Sequence, residues 1–106
     1  MKTNFYAKGI QLTEDLKEEV EIHMQKIEQF LGEDALAAWV ELDDNNGVHG
    51  GTGKYRAEIQ IKLRHGSLRA EETAENIIVA INGVIPKLRK QIEKFKTKFR
   101  EVKREE

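Results

Sequence analysis

Arg56-Ala57-Glu58-Ile59-Gln60-Ile61-Lys62-Leu63-Arg64 alternates charged or amide side chains with apolar ones without a break. Period two is the mark of a strand with one wet face and one buried face. Ala57, Ile59, Ile61 and Leu63 therefore need an apolar layer over them, and the rest of the chain must supply it. His65-Gly66 turns the chain into a short fourth strand near 67–71. Upstream, Leu36, Ala38, Val40 and Leu42 alternate with Ala37, Trp39, Glu41 and Asp43, which makes a second strand. Trp39 then falls on the face away from the apolar set, the open side it shares with Tyr6. Residues 3–7 place Thr3, Phe5 and Ala7 against Asn4 and Tyr6 and read as a first strand that ends at Gly9.

Two helical stripes provide the cover. Thr13 caps a helix that opens with Glu14 and Asp15, favourable charges at the positive end of a helix dipole. At about 100° per residue, Leu16, Val20, His23, Met24, Ile27, Phe30 and Leu31 share one stripe, and Gly32 supplies the stop. A second helix is expected from Thr73 or Ala74. Its stripe, Ile77, Ile81, Val84, Ile85, Leu88, Ile92, Phe95, Phe99 and Val102, is interrupted by Gly83 and Pro86. Pro86 projects opposite the stripe, so a kink is expected there and not an end. The fold class that buries these faces is α+β: a β-α-β-β-β-α order, with a four-stranded mixed sheet and two helices packed on one face.

A chain of 106 residues is long enough for one core. It contains no cysteine, so a disulfide framework and thiolate chemistry are excluded. It has no signal-like apolar run and nothing approaching a membrane span, which leads us to expect a soluble, cytoplasmic protein with no membrane partner. The organisation reads as a domain over 1–98, followed by 99–106 as a charged tail or the start of a linker. Residues 43–53 (DDNNGVHGGTG) carry four of the eight glycines and are expected to form the most mobile internal connection.

No catalytic constellation emerges. A phosphate loop ending at Gly53-Lys54 would need glycine at 48 and Ser/Thr at 55, where Val48 and Tyr55 stand. A calcium loop around Gly47 would place Leu42 and Gly53 where carboxylates are required. His23, His49 and His65 lack metal-ligand spacing, and His23 reads as a helix-face histidine packed against the sheet. Ser67 has no nucleophile-elbow context. No enzyme activity, cofactor, metal or small-molecule substrate is expected.

Charge is the stronger signal. Between Lys87 and Arg104 stand nine Lys/Arg against Glu93 and Glu101, a local charge of +7 on a chain whose net charge is −1. Lys87, Lys90, Lys94 and Lys98 recur at helical spacing along one edge of the apolar stripe. Arg89, Lys96, Arg100 and Lys103 line the other. A solvated face usually mixes signs, and this one barely does, so a polyanion is the expected partner. Trp39 is a candidate for stacking a base, for packing under the glycine-rich loop or for an oligomer contact.

Several segments carry a resemblance: Gly9-Ile10-Gln11-Leu12-Thr13-Glu14, Lys26-Ile27-Glu28-Gln29-Phe30, Leu68-Arg69-Ala70-Glu71-Glu72-Thr73, Ala80-Ile81-Asn82, and Lys87 to Lys98. With the first strand they resemble the ribosome hibernation-promoting factors, the family that includes ribosome-associated inhibitor A and the older-named sigma-54 modulation proteins. The resemblance spans Asn4 to about Lys98. It implies the same β-α-β-β-β-α fold and binding to rRNA in the decoding channel of the bacterial small ribosomal subunit, where mRNA and tRNA are occluded in stress or stationary phase. The family's basic positions fall here on Lys87, Lys90 and Lys94, with Lys26 on the first helix. His23 and Gln29 stand where the family is often basic, the body is unusually acidic, and Pro86 is unusual in the last helix. Long members carry a second domain that pairs ribosomes, and this chain fits either a short form or the first half of a long one.

The expected RNA-binding set is therefore Lys26, Lys87, Arg89, Lys90, Lys94, Lys96, Lys98 and Arg100. The expected function is translational inhibition by small-subunit rRNA binding, with strong salt dependence. No aromatic RNP1-like run lies on 54–64, and the last helix does not begin with the lysines that duplex-RNA-binding domains place there. The alternative is a protein-interaction module that docks or self-associates through its acidic first and basic last helices, with its oligomeric state left open.

Overall fold

The computed structural model describes residues 1–44 and the backbone of 55–105, with side chains described as far as Lys96. The elements are β1 (Lys2–Lys8), α1 (Glu14–Leu31), a 3-10 turn (Gly32–Asp34), β2 (Ala35–Asp44), β3 (Tyr55–Leu63), β4 (Gly66–Ala74) and α2 (Ile77–Glu105). The sheet order is β1-β2-β3-β4, with β1 parallel to β2 and the remaining pairs antiparallel. This is the expected α+β architecture. Residues 45–54 lie outside the described residues, and with them most of the segment expected to be mobile. Asp43 and Asp44 belong to β2.

The alternation of β3 does what its period requires. Ala57, Ile59, Ile61 and Leu63 are buried in one cluster with Leu16, Val20 and Ile27 of α1 and Ile81, Val84 and Leu88 of α2. Ile61 is 0 % exposed, so Ile61→Ala should cost about 2–5 kcal/mol by lost transfer energy plus cavity. Denaturant unfolding checks this, and a loss below about half a kcal/mol would remove Ile61 from the core.

The helix ends follow local chemistry. Thr13 Oγ1 accepts from the Leu16 N–H at 3.2 Å, and Glu14 and Asp15 occupy the first turn of α1. Gly32 closes the helix at φ 62°, a left-handed conformation, and its N–H donates to the Glu28 carbonyl.

Three expectations are corrected. Leu36 is exposed, because the β2–β3 register shifts between Ala35 and Ala37 and leaves it as a bulged residue. Both Ala35 and Ala38 then point into the core, which strict alternation would forbid. Second, β4 runs to Ala74, since Tyr55 pairs with it, and α2 starts only at Ile77. Asn76 is the cap: its Oδ1 accepts from the Val79 N–H at 2.8 Å. Third, Phe30 is 58 % exposed and not part of the core. Pro86 lies within a continuous α2 on its exposed side, and the helix does not end there.

Candidate nucleic-acid interface

α2 packs its Ala80, Ile81, Val84, Ile85, Leu88 and Ile92 against the sheet and α1. At 3.6 residues per turn, Arg89 and Lys96 then fall on one flank of that stripe, Lys87 and Lys94 on the other, and Lys90 nearly opposite it.

The Lys87 flank lies along β4. Lys87 Nζ donates to the Glu71 carbonyl at 3.0 Å and pairs with the Glu72 carboxylate at 3.0 Å. One turn on, Gln91 Nε2 donates to the Arg69 carbonyl at 2.6 Å, and its Oε1 accepts from the Arg69 N–H at 3.0 Å. β4 is an edge strand, whose outward N–H and C=O groups would otherwise offer a template for another chain. Lys87 and Gln91 close that edge. The hydrogen bond from Lys87, and then that from the Thr73 N–H, hold the Glu72 carboxyl below the usual glutamate range.

Gly83 permits this approach, because a Cβ there would stand 2.7 Å from Glu72 Cγ. Gly83→Ala is therefore expected to displace Glu72 and free Lys87 despite the better helix propensity of alanine. A Glu72 carboxyl titration that returns to the ordinary glutamate range would register it; an unchanged one would contradict it. Lys87 belongs by spacing to the same cationic row as Lys90 and Lys94. It is 51 % exposed on its side chain, but its ammonium is held by β4, so it is partly a structural residue.

The Arg89 flank faces α1. Ile27, Phe30, Arg89, Ile92 and Glu93 line a shallow cleft between the helices, and Lys96 Nζ lies 5.3 Å from the Phe30 ring centroid. That cation–π contact explains how an exposed phenylalanine is tolerated beside the cationic helix. Lys26 is exposed one turn before Phe30 on the same side of α1, across the seam from Arg89. Among the described residues, Lys26, Arg89, Lys90 and Lys94 pair with no carboxylate. Lys98 and Arg100 continue the helix, and their side chains lie outside the described ones.

Sequence reasoning missed Gln91, and it missed a network on the other face of the sheet. Arg56 bonds to Asp43 at 2.6 Å and Glu71 at 3.0 Å, contacts Glu58, and lies 3.7 Å from Glu41. Arg69 pairs with Glu58 from the other side. Burial works against the Arg56 charge, but the hydrogen bonds to Glu71 and Asp43 outweigh it and raise its pKa. The signal was present in principle. Arg56 and Glu58 share a strand face, and a hairpin at His65-Gly66 sets Arg69 and Glu71 beside them. Among the described residues no group of His, Asp or Glu could hold a metal ion, and no helix is long and apolar enough to cross a membrane.

A four-stranded sheet with two helices on one face, the second long and cationic, defines a distinct class of small α+β domain. A sequence profile of the family described as sigma 54 modulation protein / S30EA ribosomal protein matches residues 3–100, and the chain belongs to that family. It is 26 % identical over 101 residues to a ribosome hibernation promotion factor of Deinococcus radiodurans, covering 93 % of this chain and 51 % of that protein. The chain thus spans about half the length of this curated relative. The crystal structure of the Thermus thermophilus Protein Y N-terminal domain superposes with a TM-score of 0.71 at 25 % identity, covering 90 % of this chain and 99 % of that one. A ribosomal subunit interface protein from Coxiella burnetii shares the fold, with a TM-score of 0.77 at 15 % identity over 92 % of this chain and 99 % of that one.

Proposed function

We propose that this chain is a ribosome hibernation factor, or the ribosome-binding part of one, that binds small-subunit rRNA in the decoding channel and blocks the mRNA and tRNA positions. The observation that carries the reading is the free cationic surface of α2. Arg89, Lys90 and Lys94 project from a helix anchored to the core, Lys26 lies across the α1 seam from Arg89, and none of the four has a carboxylate partner among the described residues. Lys96, Lys98 and Arg100 extend the set, and Lys87 contributes charge while holding β4. Family membership supplies the ribosome as the polyanion. Cations on a rigid helix displace condensed counterions from structured RNA without reading its sequence, which suits steric occlusion.

Co-sedimentation with small ribosomal subunits across a salt series tests this. Binding that is tight at low salt and falls steeply as salt rises supports it. A protein-interaction module would bind independently of the subunits, so absence of co-sedimentation at low salt would overturn the reading.

A further inference from the structure

The face of the sheet opposite the helices is segregated by charge. The strand registers place its side chains in rows across the sheet. One row runs Asn4, Trp39, Gln60, Arg69, and the next toward Ala35 runs Lys2, Ala37, Lys62, Ser67. Neither row contains a carboxylate. Glu41, Glu58, Glu71 and Asp43 all lie in the two rows on the other side, where Arg56 gathers them. Arg69 is joined to that network through Glu58, but Lys2 and Lys62 form no ion pair among the described residues.

We infer that this half-face is a second RNA contact, in which one unpaired nucleotide of a single-stranded RNA stacks on Trp39. The choice of RNA over DNA rests on the ribosomal reading above; the geometry does not depend on α2. Trp39 is 41 % exposed and Tyr6, diagonal to it in the adjacent row, is 64 % exposed, so the indole offers a stacking surface on this face. Asn4 Nδ2 donates to the Ala38 carbonyl at 3.2 Å, which fixes that carboxamide beside the indole and leaves its Oδ1 free to accept from a base edge. Gln60 flanks the other side. Ala37 is the smallest side chain in its row and stands between Lys2 and Lys62, leaving room for a phosphate with a cation on each side. Both lysines occupy diagonal positions to Trp39, within reach of long side chains. Apart from Tyr6, the groups around the indole on this half-face are the amides of Asn4 and Gln60 and the ammonium groups of Lys2 and Lys62, which favour a nucleotide over an apolar peptide.

Trp39 is the only tryptophan, so its emission reports the site directly. The intact chain, titrated with a six-nucleotide uridine RNA, should show saturable quenching that Lys62→Glu weakens. Anisotropy of the same RNA carrying a dye should show Trp39→Ala binding about tenfold or more weaker, with Trp39→Phe keeping most of the affinity. A chain with Lys26, Lys90 and Lys94 changed to Glu should keep the quenching even where it loses small subunits, which separates failure of this inference from failure of the helix reading. RNA that fails to bind, binds without quenching, or binds Trp39→Ala with the parent's affinity would overturn it. So would emission that changes with protein concentration alone, which would mean a second copy covers the face.

Discussion

Arg56→Met is expected to be the most damaging single substitution outside the apolar core. It would leave Glu41, Asp43, Glu58 and Glu71 together on one sheet face with only Arg69, on Glu58, still paired to them. Glu58, whose side chain is only 9 % exposed, would keep Arg69 as its one partner, and Asp43, 18 % exposed, would lose the one ion pair it has among the described residues. Removing one partner of a buried pair costs roughly 3–5 kcal/mol, and because Glu41 and Glu71 remain wet the lower end, roughly 3 kcal/mol, is expected here. The sign with pH follows. The penalty comes from ionised carboxylates, so it should be full near neutral pH and shrink as acid protonates them. Urea unfolding of parent and variant at neutral and acidic pH measures it. A loss below about 1 kcal/mol at neutral pH would reduce the network to ordinary surface pairs.

The second large effect concerns binding. Reversing Lys26, Lys90 and Lys94 to Glu should leave the fold intact, because all three are exposed and none pairs with a carboxylate among the described residues. Each phosphate contact contributes about 0.9 to the log–log salt slope on duplex DNA and about 0.7 on single strands. Three lost contacts should flatten the slope by about two to three units and weaken subunit binding by orders of magnitude at moderate salt. Lys87 is left out of the set on purpose. Lys87→Glu would place a second carboxylate beside Glu72 and open the β4 edge, so lost binding could come from damage to the sheet. Reversing Lys8 and Lys17, on β1 and α1, should matter far less. Equal co-sedimentation of the triple variant and the parent would exclude this surface.

The contrast between Lys87 and Lys90 marks how far the sequence could be read. Periodicity along one element was enough to identify the buried side of β3, the α1 stripe and the cationic surface of α2, because each is set by spacing within a single segment. Leu36 defeated the same reasoning, since a bulge inserts one residue and reverses the phase, and its cause lies in pairing with Leu63 and Lys62. The extra length of β4 likewise depends on β3, through Tyr55 opposite Ala74. The second role of Lys87 was not legible, because charge spacing says nothing about which strand edge a helix lies beside. Gln91 was missed for the same reason. Phe30 looked like core by its angle on α1, yet α1 ends at Leu31, and what Phe30 meets is the outer flank of α2 and Lys96.

The central claim is that the outer surface of α2 lies against small-subunit RNA. The chain has no cysteine, so Lys90→Cys would provide one attachment point for an iron chelate on that surface. Directed hydroxyl-radical cleavage of ribosomal RNA from that position reads contact without relying on loss of binding. The expected result is cleavage of small-subunit RNA in the segments that line the decoding channel, absent when the chelate is free in solution. Cleavage confined to other regions, or none from a derivatised protein that still co-sediments, would contradict it.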